Sequence, residues 1–334
     1  MWKIAQCAIQ GRSHIKNNIP CQDKTFALVR NGVYVTALAD GAGSAELSHL
    51  GAGRVTEFVC HELSENFDRF FDSEDGVSVK QELMSKIIIS IDEVARKYQS
   101  DIKKFASTLL FVAVKDDRFI IAHLGDGVIG YVKNDILKVA SEPYNGEFAN
   151  TTVFTTSKNA TFFLKLIKGT LENISGFVLM SDGTAEALYS KAKKQLSNGV
   201  KKVIDLCRHA NLGYVEKMLD YSFCNTIRQV TADDCSICVM SCVNSQFREY
   251  FQLDIKDKAK LLKIKFGVSL KRQVERYDKI LLYLSEDKTL KSVSKYIHLK
   301  PKYTKKYIDR LLELDFIEKS DGKYHSILDF CQVN

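Results

Sequence analysis

Five places in this 334-residue sequence put an aspartate at the mouth of an apolar run: Gln22-Asp23, Asp40-Gly41, Gly125-Asp126-Gly127, Ser181-Asp182-Gly183 and Asp233-Asp234. Taken singly, each has an ordinary explanation, because Asp caps its own backbone in turns and Gly accepts positive φ. Three of them repeat one pattern more closely. Asp40, Asp126 and Asp182 follow the apolar stretches "VYVTALA", "FIIAHLG" and "GFVLMS", and each is followed directly by glycine. If those stretches are strands of neighbouring sheets, their ends could gather the carboxylates at one edge. Clustered carboxylates repel unless cations lie between them. An all-oxygen donor set suits Mg²⁺ or Mn²⁺ rather than Zn²⁺.

The elements that must position these residues are legible as periodicities. Residues 2–10 and 25–39 read as strands. "ELSHLGAGRVTEFVCHELSENF" and "VKQELMSKIIISIDEVARKYQ" carry apolar residues at helical spacing and read as two long helices. From Ser107 the period shortens to strand, turn, strand, turn, strand, with breakers at 115–117, 125–127 and 133–135. "TTVFTTS", "ATFFLKLIKG" and "GFVLMSDG" are expected to continue the strands, helices return near 184–220, and "DDCSICVMSCV" reads as a last buried strand. Strands and helices come in groups, which favours an α+β fold with antiparallel pairing.

Composition sets limits. Hydrophobic residues make up 45 %, enough for a sizeable core, and no apolar stretch reaches membrane-spanning length. The N-terminus lacks a signal-peptide pattern, and nine scattered cysteines fit a reducing cytoplasm better than a disulfide framework. A cytoplasmic protein with no membrane partner is expected. Residues 251–334 hold 19 Lys+Arg against 12 Asp+Glu, so they carry the whole net charge of +7, and residues 1–250 are neutral. That asymmetry suggests two modules with different partners.

The motifs "GRSH…PCQD", "ADGAG", "STLLF…GDG", "LMSDG" and "DDCSICVM" occur in that order. Together they resemble the metal-dependent protein phosphatase 2C family, and the short opening is similar to its bacterial subgroup. The resemblance covers roughly residues 1–243. It implies a four-layer α-β-β-α sandwich, two antiparallel sheets flanked by helices. It also implies two core Mn²⁺ or Mg²⁺ ions held by Asp23, Asp40, Asp182 and Asp233, with the backbone carbonyl of Gly41, and a third, looser site at Asp126. Asp40 would be shared between the two ions and a bridging water. That water, its pKa lowered, would attack phosphorus in line on a phosphoserine or phosphothreonine protein. Arg12 is the nearest candidate to grip the phosphate, and His14 could contribute to the grip or protonate the leaving oxygen. The chain departs from the family in having Gln22 where Glu is usual, "GDG" where "GDS" is usual, and Asp234 in an Asn position. The implied partners are a phosphoprotein substrate and a cognate Ser/Thr kinase.

Two other signals carry less. Cys235, Cys238 and Cys242 are expected to be buried small side chains rather than a zinc site, and His123 a packed core histidine. After about residue 245 the texture changes. Residues 246–270 read as a Lys-rich helical linker. Residues 271–334 read as three helices (272–284, 289–297, 302–314) and a hairpin about Ser320-Asp321-Gly322, a winged-helix pattern. Lys300, Lys302, Lys305, Lys306 and Arg310, with Tyr303 and Tyr307 interleaved, make DNA a candidate partner there, with protein docking or autoregulation as the competing role. The alternative for the whole chain is a DNA-binding or signalling regulator whose phosphatase-like domain only senses.

Overall fold

Two five-stranded antiparallel sheets face each other in the computed structural model, which describes residues 1–144, 152–243, 250–314 and 316–328. In chain order the elements are β1 (Trp2–Ile9), α1 (Arg12–Asn17), β2 (Lys24–Arg30), β3 (Val33–Ala39), α2 (Ser48–Asp72), α3 (Gly76–Lys97), β4 (Leu109–Lys115), β5 (Arg118–Leu124), β6 (Val128–Lys133), β7 (Ile136–Ser141), α4 (Ala160–Phe163), β8 (Lys165–Thr170), β9 (Ile174–Met180), α5 (Asp182–Leu188), β10 (Tyr189–Ser190), β11 (Gln195–Leu196), α6 (Asn198–His209), α7 (Leu212–Ser222), α8 (Arg228–Val230) and β12 (Cys235–Cys242). One sheet has the order β2-β3-β4-β5-β8 and the other β1-β12-β9-β6-β7.

The strands are apolar on both faces because both are covered. In β3 and β4, Val33, Val35, Ala37, Leu109, Phe111 and Ala113 pack with Val55, Val59 and Leu63 of α2 and Leu83, Ile87 and Ile91 of α3. The alternating residues Leu38, Leu110 and Val112 are just as buried and face the second sheet, as the two-residue period of a strand requires. The β2–β3 turn is Asn31-Gly32, with φ of 53° and 74°, the double positive φ of a two-residue hairpin loop whose twist matches its strands.

Antiparallel register does the gathering. Lys24 pairs Ala39, Leu38 pairs Leu110, and Leu109 pairs Leu124. Across the other sheet Val128 pairs Met180, Met180 pairs Ile237, and Ile9 pairs Cys235. The residues just beyond these pairs therefore share one end of the sandwich: Asp23, Asp40, Asp126, Asp182 and the 233–234 pair.

One expected strand is absent. Residues 152–154 of "TTVFTTS" are irregular and 155–157 turn, and Ala160–Phe163 is a single helical turn, so the strand begins only at Lys165; Thr151 lies outside the described residues. β-branched composition loses here to specific bonds. The Phe154 N–H donates to Ser157 Oγ (3.1 Å) and the Thr155 N–H to the Ser107 carbonyl (2.8 Å), which uses the backbone groups a strand partner would need.

Contacts divide the chain into two units, residues 2–205 with 216–242, and residue 1 with 206–215 and 243–334. The second unit holds α9 (Ile255–Leu261), α10 (Leu270–Tyr283), β13 (Lys288–Thr289), α11 (Leu290–Tyr296), α12 (Pro301–Glu313), β14 (Ile317–Ser320) and β15 (Lys323–Ser326), with sheet order β13-β15-β14. Its core includes Tyr250, Leu262, Tyr277, Ile280, Leu281, Val293, Ile308 and Phe316. The segment expected as a helical linker thus supplies Tyr250 and Leu262 to a packed core. Lys258 Nζ and Tyr250 OH both reach the Asp278 carboxylate at 2.7 Å. His209 meets Phe316 edge-on at 5.3 Å, and Asn211 Nδ2 donates to the Ile327 carbonyl at 2.8 Å. The hairpin turns on Asp321-Gly322, again with two positive φ values.

Candidate active site

Asp40 stands just past the end of β3. Its N–H donates to Thr108 Oγ1 and its carbonyl accepts from the Thr108 N–H, both at 2.8 Å, which ties the turn to the start of β4. Asp126 sits in the β5–β6 connection after Gly125, whose φ of +119° favours glycine there. Asp182 opens α5, where its own Oδ1 accepts from the Gly183 N–H at 2.6 Å. Oxygens of Asp40, Asp126 and Asp182 lie within 4.8 Å of one another. Asp23 and Asp233 lie outside that triplet but within its field. Asp23 is 1 % exposed, whereas Asp233 stands at the solvent-facing rim.

The electrostatics follow from this crowding. Burial pushes the Asp23 and Asp182 carboxyls up to about 7. For Asp23 the hydroxyls of Ser236 and Ser181 oppose the shift and the charge of Asp234 adds to it. For Asp182 the charges of Asp126, Asp233 and Asp23 add to it. Asp40 is raised well above the carboxylate range, by burial first and then by Asp23, Asp182, Asp233 and Asp126. Asp233 is raised by partial burial, against the Asp234 N–H donated to its Oδ1. Asp126 Oδ1 is buried without a hydrogen-bond partner, and the buried oxygens of Asp23 have only the nearby hydroxyls of Ser236 and Ser181, at poor alignment. A site of this kind, dense in negative charge and with an orphaned oxygen, fits a divalent cation with oxygen ligands.

Gly41 is buried beside the start of α2. A Cβ there would lie 2.8 Å from Ser48 Cβ, so the close approach demands glycine. Asp234 faces away from the cluster. Its Oδ1 accepts from the Gly11 N–H at 2.6 Å and its Oδ2 from the Gln22 N–H at 2.5 Å, and His14 Nδ1 lies 2.9 Å from Oδ2. One buried carboxylate thus pins both ends of the 11–22 loop and lies close to the ring expected to protonate a leaving group. Arg12 is exposed on α1. Its Nε donates to the Thr231 carbonyl at 3.0 Å, and its terminal nitrogens have no partner among the described residues.

Sequence reasoning missed Thr152. Its Oγ1 donates to Asp126 Oδ2 at 2.6 Å, so the unpartnered oxygen of Asp126 is the other one, Oδ1. The signal was a threonine-rich stretch that composition alone assigns to a strand. His123 is a core residue: Nδ1 lies 2.6 Å from Ser141 Oγ, and burial, helped by Lys165, brings its pKa down to about 3. Cys235 and Cys238 are buried, and among the described residues the only metal-sized cluster is the aspartate one.

Comparison with known proteins agrees with this architecture. A sequence model of the family described as Protein phosphatase 2C matches residues 10–220. The chain is 25 % identical over 178 residues to Serine/threonine-protein phosphatase 3 of Escherichia coli (strain K12), covering 51 % of this chain and 68 % of that protein. Among solved structures, a point mutant of a bacterial serine phosphatase superposes with a TM-score of 0.51 at 15 % identity, over 72 % of this chain and 99 % of that one. A bacterial serine phosphatase without a mutation gives 0.50 at 14 % identity, over 72 % and 98 %. The structural likeness concerns the fold; the sequence match spans more than half of the chain and makes it a member of the protein phosphatase 2C family, and an enzyme.

Proposed function

We propose that this chain is a metal-dependent serine/threonine protein phosphatase. Asp23, Asp40, Asp182, Asp233 and the Gly41 carbonyl would hold two Mn²⁺ or Mg²⁺ ions, and Asp126 would serve a third. The observation that carries the reading is the cluster of Asp40, Asp126 and Asp182, with oxygens within 4.8 Å of one another and a buried Asp126 Oδ1 that has no hydrogen-bond partner, next to the buried carboxylate of Asp23. When bound, the cations supply charge neutralisation at the phosphoryl oxygens and an activated water. The chain's own part is positional. Thr108 fixes the backbone of Asp40 through two bonds, which holds its carboxylate among the others. The free terminal nitrogens of Arg12 are a fork suited to phosphoryl oxygens. His14, whose Nδ1 lies 2.9 Å from Asp234, would stand near the place where a leaving serine or threonine oxygen takes a proton.

The substrate class is a phosphoserine or phosphothreonine protein, made by a partner kinase. Hydrolysis of p-nitrophenyl phosphate and of a phosphothreonine peptide tests the reading. Turnover should require Mn²⁺ or Mg²⁺ and vanish with chelator. Metal-independent hydrolysis would refute the metal dependence, and no hydrolysis with either ion would refute the enzyme reading and favour the sensor alternative.

Thr152 adds a finer expectation. By bonding Oδ2 it leaves Asp126 Oδ1 without a protein partner and fixes the carboxylate, as outer partners orient metal ligands elsewhere. Thr152→Val should keep two tight cation sites by calorimetry, weaken a third by roughly tenfold to a hundredfold, and lower turnover; Thr152→Ser should restore both. Unchanged cation binding would remove Thr152 from this role.

We read the second unit as a winged helix. The order helix, short strand, helix, helix, hairpin supports it, with β13 pairing β15. Lys302, Lys305 and Lys306 are exposed on α12 and have no carboxylate partner among the described residues, which keeps an anionic partner open to this face.

A further inference from the structure

We propose that the second unit binds a nucleoside phosphate in a pocket between α10 and α12. The two helices meet through Tyr277 and Tyr307, whose rings stand edge to face at 5.0 Å. Beside that contact a cavity of about 340 Å³ stays open, closed at one side by Leu299 of the turn before α12. Arg276 of α10 and Lys306 of α12 both line it, along with Gln273 and Tyr303, and no carboxylate does. The acids of the same helices are occupied elsewhere or point away. Asp278 holds Lys258 and Tyr250, Glu275 is 4.0 Å from Lys271, and Glu313 is 3.2 Å from Arg310; Asp309 is exposed and does not line the cavity.

The chemistry of the walls selects the ligand. Arg276 Nη1 donates to Tyr307 OH at 2.9 Å, and its guanidinium carbon lies 5.6 Å from the Tyr307 ring centroid. That contact fixes the guanidinium and leaves its other N–H groups without a protein partner among the described residues. With the Lys306 ammonium it makes a two-cation recess for a phosphate. Tyr303, 52 % exposed, offers an uncovered aromatic face to a flat ring. Gln273 donates its amide N–H to Ser269 Oγ at 2.7 Å and keeps its carbonyl as an acceptor for an exocyclic amine. A cavity of this size is at the small end for ligand sites and holds one nucleotide. A phosphoserine side chain would use the cations but leave the tyrosine face and the amide idle. The nucleotide is either free in solution or part of a single strand. The proposal does not depend on the phosphatase reading, since every group it uses lies in the other unit.

Calorimetry on the full chain, treated with chelator so that the aspartate cluster carries no cations, tests it. The probes are the four 5′-mononucleotides, ribose 5-phosphate, inorganic phosphate, a phosphoserine peptide, and an oligonucleotide in single-stranded and duplex form. At least one mononucleotide should bind, and at least roughly tenfold more tightly than ribose 5-phosphate. Tyr303→Ala should weaken it by at least roughly fivefold, the lower end for loss of a stacked base, and Lys306→Ala by a similar factor through loss of a phosphate cation. Both side chains are exposed, so neither change threatens the fold. Turnover of p-nitrophenyl phosphate with Mn²⁺ should be unchanged in both variants. A single strand that binds more tightly than its mononucleotide, and is displaced by it, identifies a strand as the source; a weaker one identifies the free nucleotide. No binding of any base-bearing probe, equal binding of ribose 5-phosphate, preference for the phosphoserine peptide, or duplex binding indifferent to Tyr303→Ala would overturn the proposal.

Discussion

Asp40→Asn should leave a folded protein whose turnover at saturating Mn²⁺ is lower by on the order of 10³-fold or more. Several kcal/mol of transition-state stabilisation rest on the cations, and each 1.36 kcal/mol is a factor of ten in rate. Asp40 is the aspartate to choose because all four others act on it: Asp23, Asp182, Asp233 and Asp126 each raise its carboxyl. Its carboxylate therefore sits amid the other four, where a cation between them would be held. The amide keeps the shape and the two backbone bonds with Thr108, which do not involve the side chain. The amide also needs no proton to stay neutral, so the metal-free state is spared the cost of keeping a buried carboxyl protonated near neutral pH. Two readouts therefore move in opposite directions. The metal-free melting temperature rises, and the further rise on adding Mn²⁺ shrinks. A variant with wild-type turnover, or one that simply unfolds with and without metal, would contradict this account of Asp40.

The aspartates were legible in the sequence because their context is local. An apolar strand, an Asp and a Gly are adjacent residues, and antiparallel register then brings the strand ends together without further information. The long helices and the hairpin about Asp321-Gly322 were legible for the same reason. Asp234 was not legible as the clamp of the 11–22 loop. Its partners Gly11 and Gln22 are more than 200 residues away in sequence, and nothing near Asp234 encodes them. Nor could adjacency say which of Asp233 and Asp234 turns to the rim. Residues next to each other in extended chain point to opposite sides, so the pattern fixes the alternation but not its phase. Residues 152–157 were misassigned because β-branched composition measures fit to a pleated surface, not the presence of a neighbour to pair with. The two-residue strand β13 is too short to show a period at all. The grouping of residues 206–215 with the second unit depends on contacts such as Asn211 to Ile327, again invisible locally.

Without metal, the protein should lose stability as the pH rises from about 4 to 7, and the last part of that loss, on the order of 1 kcal/mol per raised carboxyl, falls between pH 6 and 8. Asp23 and Asp182 titrate at about 7 in the folded protein, against an ordinary value of 3.8 for a free aspartate. A raised folded pKa means the native state holds its proton more tightly than the unfolded chain. The resulting stability is complete below about 3.8 and is lost as the pH passes through about 7. A three-unit shift corresponds to roughly 4 kcal/mol for one group. The carboxyls share one field, so the total is smaller than a simple sum over them. His123 acts with the opposite sign. Its pKa falls to about 3, so its neutral burial costs stability only as the pH drops below its ordinary value of 6.5. His49, lowered by burial and Lys24, adds a weaker contribution of the same sign as His123, so below pH 6.5 the two histidines flatten the fall that the several aspartates cause. Cations reverse the dependence. They bind the deprotonated carboxylates, so their contribution grows with pH over the window in which the metal-free protein weakens. Thermal melts in chelator at pH 6, 7 and 8 should fall by on the order of 5–10 °C across the series. The same series at saturating Mn²⁺ should be level or rising. A metal-free protein whose melting temperature is flat or climbs over that range would mean that Asp23 and Asp182 are ionised without help, and that the cluster has no charge for a cation to relieve.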